Sequence, residues 1–202
     1  MKPHQHTFDD ISLYHAPLLD DDAAAEIAAD PLYSRFFDGI TSRSRIRERA
    51  SEIAMLAAIA GDRPFEFDHT DIGSPLLTIG GKRQEISISH SKSELVIAIS
   101  DESRIGVDIE NLRTQLLRVT SRFLNAEELD VWTRSPERLL QAWSAKEAAF
   151  KAWSPQVSAF SAITLSLHTD GSVTAEAPFQ LPLRVEFLMS QAPLRCIALA
   201  RQ

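Results

Sequence analysis

The sequence has little of what a disulfide-rich, fibrous or membrane-spanning protein needs. Its 202 residues include one cysteine, Cys196, which has no partner for an internal disulfide. No apolar run approaches the ~18 residues that cross a bilayer, and residues 1–15 contain no apolar core of a secretory signal. Hydrophobic residues nevertheless make up 44% of the chain, enough to form a buried core. We therefore expect a cytoplasmic globular protein that does not associate with membranes.

The chain also lacks an excess of basic residues. Its net charge is −7 at pH 7 and its sequence pI is about 5.4, which argues against non-specific binding to nucleic acid or to an anionic membrane surface. Two local basic segments interrupt this background, and each is either a surface that guides an anionic partner or an ordinary solvated helix face. Their arginines are Arg43, Arg45, Arg47 and Arg49 in the first segment, and Arg113, Arg118 and Arg122 in the second.

Hydrophobic spacing predicts a mixed α+β fold. Apolar residues recur at helical intervals in four segments, whereas alternation typical of strands marks three central segments and the part of the chain after residue 163. The order lacks a regular strand–helix–strand rhythm, which favours α+β over a doubly wound sheet. The predicted helices cover about residues 20–30, 44–60, 125–132 and 137–153, and the central strands cover about 85–89, 95–100 and 104–109.

Two charged pairs carry the chemistry that the sequence suggests. Asp108 and Glu110 are two apart on a predicted strand and therefore share a face, while Glu147 and Lys151 are four apart on a predicted helix. If they converged, three carboxylates and a lysine would suit Mg²⁺ that bridges phosphate oxygens. Taken separately, each pair is equally compatible with an exposed strand edge or a helix-surface pair. His90 lies in a strand-to-strand junction, where spacing alone leaves its role open.

Five motifs occur in an order that resembles the 4′-phosphopantetheinyl transferase superfamily, specifically the larger single-chain, pseudo-dimeric type. They span about residues 73–152, and the combination of GVDIE with WSAKEAAFK is more specific than either motif alone. The motifs are Gly-Ser-Pro at 73–75, SISHS at 87–91, IGVDIE at 105–110, FLNAEEL at 123–129 and WSAKEAAFKA at 143–152.

The resemblance implies an activity and an acid–base site. Members transfer 4′-phosphopantetheine from coenzyme A to a serine of an apo acyl or peptidyl carrier protein, release adenosine 3′,5′-bisphosphate, and use Mg²⁺, with Mn²⁺ as an alternative; this is holo-[acyl-carrier-protein] synthase activity. Asp108, Glu110 and Glu147 correspond to the metal ligands. Glu147 also corresponds to the group that removes the serine proton, and Lys151 to the catalytic cation on the phosphates.

The resemblance further implies binding surfaces for both substrates. Ser89 and His90 correspond to residues that contact the 3′-phosphate of coenzyme A, and Arg43, Arg45 and Arg49 are candidates for the same end of the nucleotide. The other basic segment would attract an acidic carrier protein through Arg113, Arg118 and Arg122.

The family's architecture implies two similar α+β halves related by a pseudo-twofold, with coenzyme A in the cleft between them. Residues 1–103 would form the half on the nucleotide side, and residues 104–202 the half with the metal site and the carrier-protein side. A chain that contains both halves is expected to be a monomer.

Two departures from the family pattern bear on these expectations. Ser74 stands where members usually have lysine, and no glycine follows Lys151 until Gly171. These departures keep open a catalytically inert protein that binds coenzyme A or a carrier protein. A separate alternative is a metal-dependent phosphohydrolase that uses the same acidic residues and acts without an acceptor protein. Because Pro155 disfavours helical geometry in the residue before it, the helix that carries Lys151 is expected to end there.

Overall fold

A computed structural model describes residues 1–202 as two antiparallel sheets, each with helices packed against it, which confirms the predicted α+β class. The first sheet has six strands in the order β1-β2-β6-β5-β4-β3: β1 His4–Phe8, β2 Ile11–Pro17, β3 Phe65–His69, β4 Pro75–Ile79, β5 Lys82–His90 and β6 Glu94–Ser100. The second has five in the order β7-β11-β10-β9-β8: β7 Ile105–Asn111, β8 Thr164–Leu167, β9 Val173–Glu176, β10 Leu183–Gln191 and β11 Leu194–Arg201.

The helices of the first half are α1 and α2, and those of the second half are α3 to α6. Short 3₁₀ turns at Ser34–Phe37 and Phe160–Ala162 complete the regular structure. The helical bounds are α1 Asp21–Ala29, α2 Arg43–Ala60, α3 Thr114–Arg118, α4 Thr120–Phe123, α5 Ala126–Trp132 and α6 Pro136–Trp153.

The two halves repeat one connectivity. In the first half, β2 leads through α2 into the meander β3 to β6, and β2 pairs with β6, the last strand of that meander. In the second half, β7 leads through α6 into the meander β8 to β11, and β7 pairs with β11. Strand β1 is an addition at the edge of the first sheet. Two halves of like topology are what the pseudo-twofold architecture requires.

A core shared by the two halves joins the sheets. Its buried residues come from β2 and β6 on one side and from β7 and β11 on the other, so neither half completes this core by itself. The members are Ile11, Leu13, Val96, Ala98, Ile105, Val107, Ile109, Ile197 and Leu199. Two further clusters lie within single halves, one beneath α2 and one around α6.

The long helices begin and end where local signals predict. Ser135 caps α6 by accepting a hydrogen bond from the backbone N–H of Arg138, and Pro136 occupies the first turn. The helix ends at Trp153, one residue before Ser154, so the predicted end before Pro155 is confirmed to within one residue. The strands β1 and β2 were not predicted from the sequence. Strand β1 has little apolar alternation, whereas β2 was missed although Ile11 and Leu13 alternate with more polar residues. No helix is both long and apolar enough to cross a membrane.

Candidate active site

The close approach of α6 to β7 places the candidate catalytic residues beside one another. Gly106 on β7 lies directly beneath α6, where an added Cβ would stand 1.9 Å from the carbonyl oxygen of Ala148 and 2.6 Å from the backbone nitrogen of Ala152. Only glycine fits a strand and a helix backbone this close together. The glycine of the IGVDIE motif therefore sets the separation between Asp108 and the helix that carries Glu147 and Lys151.

Asp108 is buried at the junction of the halves and has one engaged and one free oxygen. Its Oδ1 accepts hydrogen bonds from Ser89 Oγ at 2.9 Å and from Lys151 Nζ at 3.2 Å. Its Oδ2 is buried and has no hydrogen-bond partner. Because a buried carboxylate oxygen without a partner carries a desolvation cost, this atom is a ready acceptor for a cation.

Glu147 lies among acidic neighbours. Burial raises the pKa of its carboxyl group, as do the charges of Asp108 and Glu110, while Lys151 acts in the opposite direction; the resulting pKa is about 7. A carboxyl group with a pKa near neutrality is suited to accepting a proton at physiological pH. Because the charges of Asp108 and Glu110 act on the pKa of Glu147, the carboxylates of β7 and of α6 form one electrostatic site.

The donor chemistry of this site fits Mg²⁺, although its geometry is not closed around an ion. No three His, Cys, Asp or Glu side chains in the structure are arranged to hold a metal as they stand. On the β7 side, both carboxylate oxygens of Glu110 already have partners: Oε2 pairs with Arg113, and Oε1 accepts from the backbone N–H of Asn111. Hard oxygen donors are nonetheless what Mg²⁺ prefers, and Asp108 Oδ2 is free. Ligation by Glu110 would require it to exchange Arg113 for the ion.

Lys151 lies at the edge of the cleft between the halves, and its side chain is 30% exposed. Its ammonium group donates to the carbonyl oxygen of Val107 at 3.0 Å and to Asp108 Oδ1. A lysine has three N–H donors, so one is left for an anionic ligand. The lysine is thereby held against β7 while it remains accessible from the cleft.

A buried ion pair on the opposite side fixes α6 in place. Lys146 Nζ donates to Glu128 Oε2 at 2.8 Å and to the carbonyl oxygen of Ile163 at 2.6 Å. Glu128 also accepts from the backbone N–H groups of Leu165 and Asn125, so the pair joins α5, α6 and β8. The FLNAEEL and WSAKEA motifs therefore meet in this ion pair, one residue away from Glu147 in the chain.

The predicted nucleotide-binding residues only partly converge. Arg45, Arg49 and His90 line one cavity of about 400 Å³ in the first half, together with Glu52. Arg49 Nε lies 3.3 Å from Glu52 Oε2, and His90 Nε2 lies 3.3 Å from Glu52 Oε1. A phosphate in this cavity would share its cations with a buried carboxylate.

Arg43 and Ser89 lie apart from that cavity. Arg43 pairs with Asp21 at 2.7 Å and is largely exposed, beside a neighbouring depression. Ser89 is buried and donates its hydroxyl hydrogen to Asp108. Adjacent residues of a strand point to opposite faces, so Ser89 and His90 are directed to different sites.

A second cavity of about 460 Å³ extends the first one towards Lys151. The two share Gly73, Pro75 and Ile88 as lining residues, so they are neighbours between His90 and the junction of the halves. Ser74 lines this second cavity as well. An elongated ligand that occupied both cavities would have one end at Arg49 and His90 and the other end near Lys151.

The second basic segment forms an exposed surface on α3 and α4. Arg118 and Arg122 are exposed and neither forms an ion pair, and Leu117 beside them is 58% exposed. Arg113 differs, because it pairs with Glu110 at the candidate metal site. The segment thus divides into a free cationic surface and one arginine that is engaged by the site.

Four contributors to the site were not predicted from the sequence. Gly106, Lys146 and Glu128 lie within the motifs that resemble the superfamily, so the motifs could have indicated them. Glu52 was also missed, and nothing in the sequence distinguishes it from an ordinary (i, i+3) partner of Arg49 on a helix surface.

Comparison with known proteins relates the second half of the chain to a protein family. Residues 104–199 match the sequence model of the 4′-phosphopantetheinyl transferase superfamily, which covers β7, α6 and the rest of the second sheet. The second half of the chain, which carries Asp108, Glu147 and Lys151, is thereby assigned to the 4′-phosphopantetheinyl transferase superfamily.

Among individual proteins, the chain is similar to the 4′-phosphopantetheinyl transferase psf-1 of Bacillus pumilus, with 32% identity over 98 residues. This match covers 46% of the chain and 42% of the relative, so the chain matches less than half the length of that protein.

Proposed function

We propose that this protein transfers 4′-phosphopantetheine from coenzyme A to a serine of an apo acyl or peptidyl carrier protein, with Mg²⁺ or Mn²⁺ as cofactor. The observation that carries the proposal is the grouping of Asp108, Glu147 and Lys151 where the cleft meets the junction of the halves. Superfamily membership supports the reaction class, and the similarity to psf-1 supports a transferase of this kind.

In the proposed reaction, the serine oxygen attacks the β-phosphorus of coenzyme A. The bond between that phosphorus and the oxygen shared with the α-phosphate breaks, and adenosine 3′,5′-bisphosphate leaves. Glu147 accepts the serine proton, which its pKa of about 7 favours. Lys151 stabilises the negative charge on the phosphates with its remaining N–H donor. Asp108, Glu110 and Glu147 would hold the metal, which supplies further charge neutralisation when bound.

The two halves would divide the substrates between them. Residues 1–103 would bind the nucleotide through Arg45, Arg49 and His90, and the neighbouring cavity towards Lys151 supports this orientation. Residues 104–202 would hold the metal and receive the acidic carrier protein at Arg118 and Arg122. Arg43 and Arg113 would contribute more weakly, since each has an acidic partner already. We further propose that the protein acts as a monomer in the cytoplasm.

The test is intact-protein mass spectrometry of an apo acyl carrier protein after incubation with this protein, coenzyme A and Mg²⁺. We expect a mass gain of one phosphopantetheine that is abolished by a chelator. Glu147→Gln should abolish the gain, while Glu137→Gln, which changes a glutamate at the far end of the same helix, should keep it.

Two outcomes would contradict the proposal. Absence of any gain with several apo carrier proteins, in a folded preparation that binds coenzyme A, would identify an inert binding protein. Cleavage of free coenzyme A without an acceptor would instead identify a phosphohydrolase.

A further inference from the structure

Two serine hydroxyls of β5 join the first half of the protein to β7 of the second half. Ser87 and Ser89 are two residues apart on the strand, both are buried, and they share the face that is turned towards β7. Ser87 Oγ accepts a hydrogen bond from the backbone N–H of Val107 at 3.0 Å. Ser89 Oγ donates to the carboxylate of Asp108 at 2.9 Å. The two contacts differ in kind, because one serves the backbone and the other a functional side chain.

The contact from Ser89 determines which oxygen of Asp108 is free. Ser89 and Lys151 both donate to Oδ1, and Oδ2 remains buried without a partner. Two donors from different elements fix the rotation of the carboxylate about its χ2 bond. A carboxylate that is oriented in this way presents Oδ2 to a cation without further loss of side-chain freedom.

The position of Ser89 does not suit direct contact with the nucleotide. His90, the next residue, projects to the other side of β5, where it lies beside Glu52 and lines the cavity that also contains Arg45 and Arg49. Ser89 is not among the residues that line that cavity. A serine hydroxyl has one hydrogen to donate, and that of Ser89 is committed to Asp108.

We propose that Ser89 is a positioning residue that orients Asp108 for the metal ion, and that it does not contact the 3′-phosphate of coenzyme A. The metal site then depends on both halves of the chain, since its aspartate comes from β7 and the group that orients it comes from β5. This inference rests on the proposed function, because that function supplies the metal ion and the substrate coenzyme A. The hydrogen bond from Ser89 to Asp108 does not depend on that function.

The first measurement is the affinity for Mn²⁺, monitored by electron paramagnetic resonance. Coenzyme A is present and the carrier protein is omitted, so that no transfer takes place. We expect Ser89→Ala to weaken Mn²⁺ binding by about tenfold, because loss of a group that orients a ligand typically costs 10- to 100-fold in metal affinity. Ser89→Thr keeps a hydroxyl and should restore most of the affinity. Ser87→Ala, on the same strand and face, should leave Mn²⁺ affinity within about twofold of wild type.

The second measurement compares coenzyme A with 3′-dephospho-coenzyme A as substrates for transfer to a carrier protein. If Ser89 acts through Asp108, Ser89→Ala lowers kcat/KM for both substrates by the same factor, so their ratio stays at the wild-type value. His90→Ala is the contrasting variant, and it should bring that ratio closer to one.

Each outcome has a distinct meaning. A ratio that falls towards one in Ser89→Ala, with Mn²⁺ affinity unchanged, would show that Ser89 contacts the 3′-phosphate and would overturn the inference. Equal loss of Mn²⁺ affinity in Ser87→Ala and Ser89→Ala would attribute the effect to general loosening of the junction and would also overturn it. If the wild-type protein transfers nothing but Ser89→Ala still weakens Mn²⁺ binding, the proposed function fails and the positioning role stands.

Discussion

At the scale of single residues, the protonation of Glu147 links the candidate site to the stability of the fold. Burial and two neighbouring carboxylates raise the pKa of Glu147 from an ordinary 4.5 to about 7. The folded protein therefore binds this proton more tightly than the unfolded chain does. The stabilisation that results is complete below about pH 4.5 and is lost as the pH rises through 7.

Glu147→Gln should remove this dependence, because glutamine carries no charge at any pH. In metal-free buffer at pH 8 we expect the variant to be more stable than wild type by on the order of 2 kcal/mol. At pH 5 the two proteins should have similar free energies of unfolding. Urea unfolding at both pH values, with a chelator present, measures the difference. A variant that is less stable than wild type at pH 8 would contradict the buried, acidic environment of Glu147.

At the scale of secondary-structure elements, two contacts hold α6 in register. Gly106 allows the helix to approach β7 on one side, and the ion pair between Lys146 and Glu128 fixes it to α5 and β8 on the other. Glu147 and Lys151 are on this helix, so both contacts act on the site without touching a substrate.

Gly106→Ala should displace α6, because the added Cβ would stand 1.9 Å from a backbone carbonyl oxygen that cannot move independently of the helix. We expect a loss of stability of about 2–4 kcal/mol, within the range for large steric changes in a core, together with a loss of the proposed transferase activity. Gly171→Ala is the matched control. Its φ is +85° and nothing lies within 4 Å of the added Cβ, so about 1 kcal/mol is expected there. Urea unfolding and the carrier-protein mass assay measure both effects.

Lys146→Met should destabilise the protein by about 3–5 kcal/mol, because it leaves the buried carboxylate of Glu128 without its cation. The double variant Glu128→Gln/Lys146→Met removes both charges and should be more stable than the single variant, since no buried charge is left unpaired. Chemical unfolding at pH 7 of four proteins, namely wild type, Glu128→Gln, Lys146→Met and the double variant, tests this order. If the double variant lost the sum of the two single effects, the residues would not be coupled.

At the scale of the whole molecule, the shared core predicts that the two halves unfold together. Residues of β2 and β6 are buried against residues of β7 and β11, and the ion pair between Arg195 and Glu94 also joins the halves. Separation of the halves would expose this apolar surface to water. Neither half is therefore expected to remain folded after the other has unfolded.

The aromatic residues provide separate probes for this prediction. All three tryptophans lie in the second half, at 132, 143 and 153, and both tyrosines, Tyr14 and Tyr33, lie in the first. Tryptophan fluorescence and second-derivative tyrosine absorbance should report one coincident urea transition. Leu13→Ala, in the shared core, should lower the free energy of unfolding by about 3 kcal/mol. Both probes should then report the same, lower urea midpoint. A shift of the tyrosine signal alone would show that the halves unfold independently.

The sequence alone predicted the α+β class, the long helices α2 and α6, and the residue pairs of the candidate site. Periodicity is a local property, and it placed the start of α6 at about residue 137, one residue after the observed start at Pro136. The same locality explains why β1 was not predicted: the strand that contains His4 and His6 depends on pairing with β2 rather than on its own apolar pattern.

Tertiary structure decided which of the predicted residues meet. Sequence spacing shows that Asp108 and Glu110 share one strand face and that Glu147 and Lys151 share one helix face, but it contains no information on the distance between the two elements. Gly106 sets that distance through a backbone contact, and Ser89 reaches Asp108 from the other half of the chain. Such contacts between residues distant in sequence arise only when the chain folds, because local preferences act over a few residues and cannot specify them.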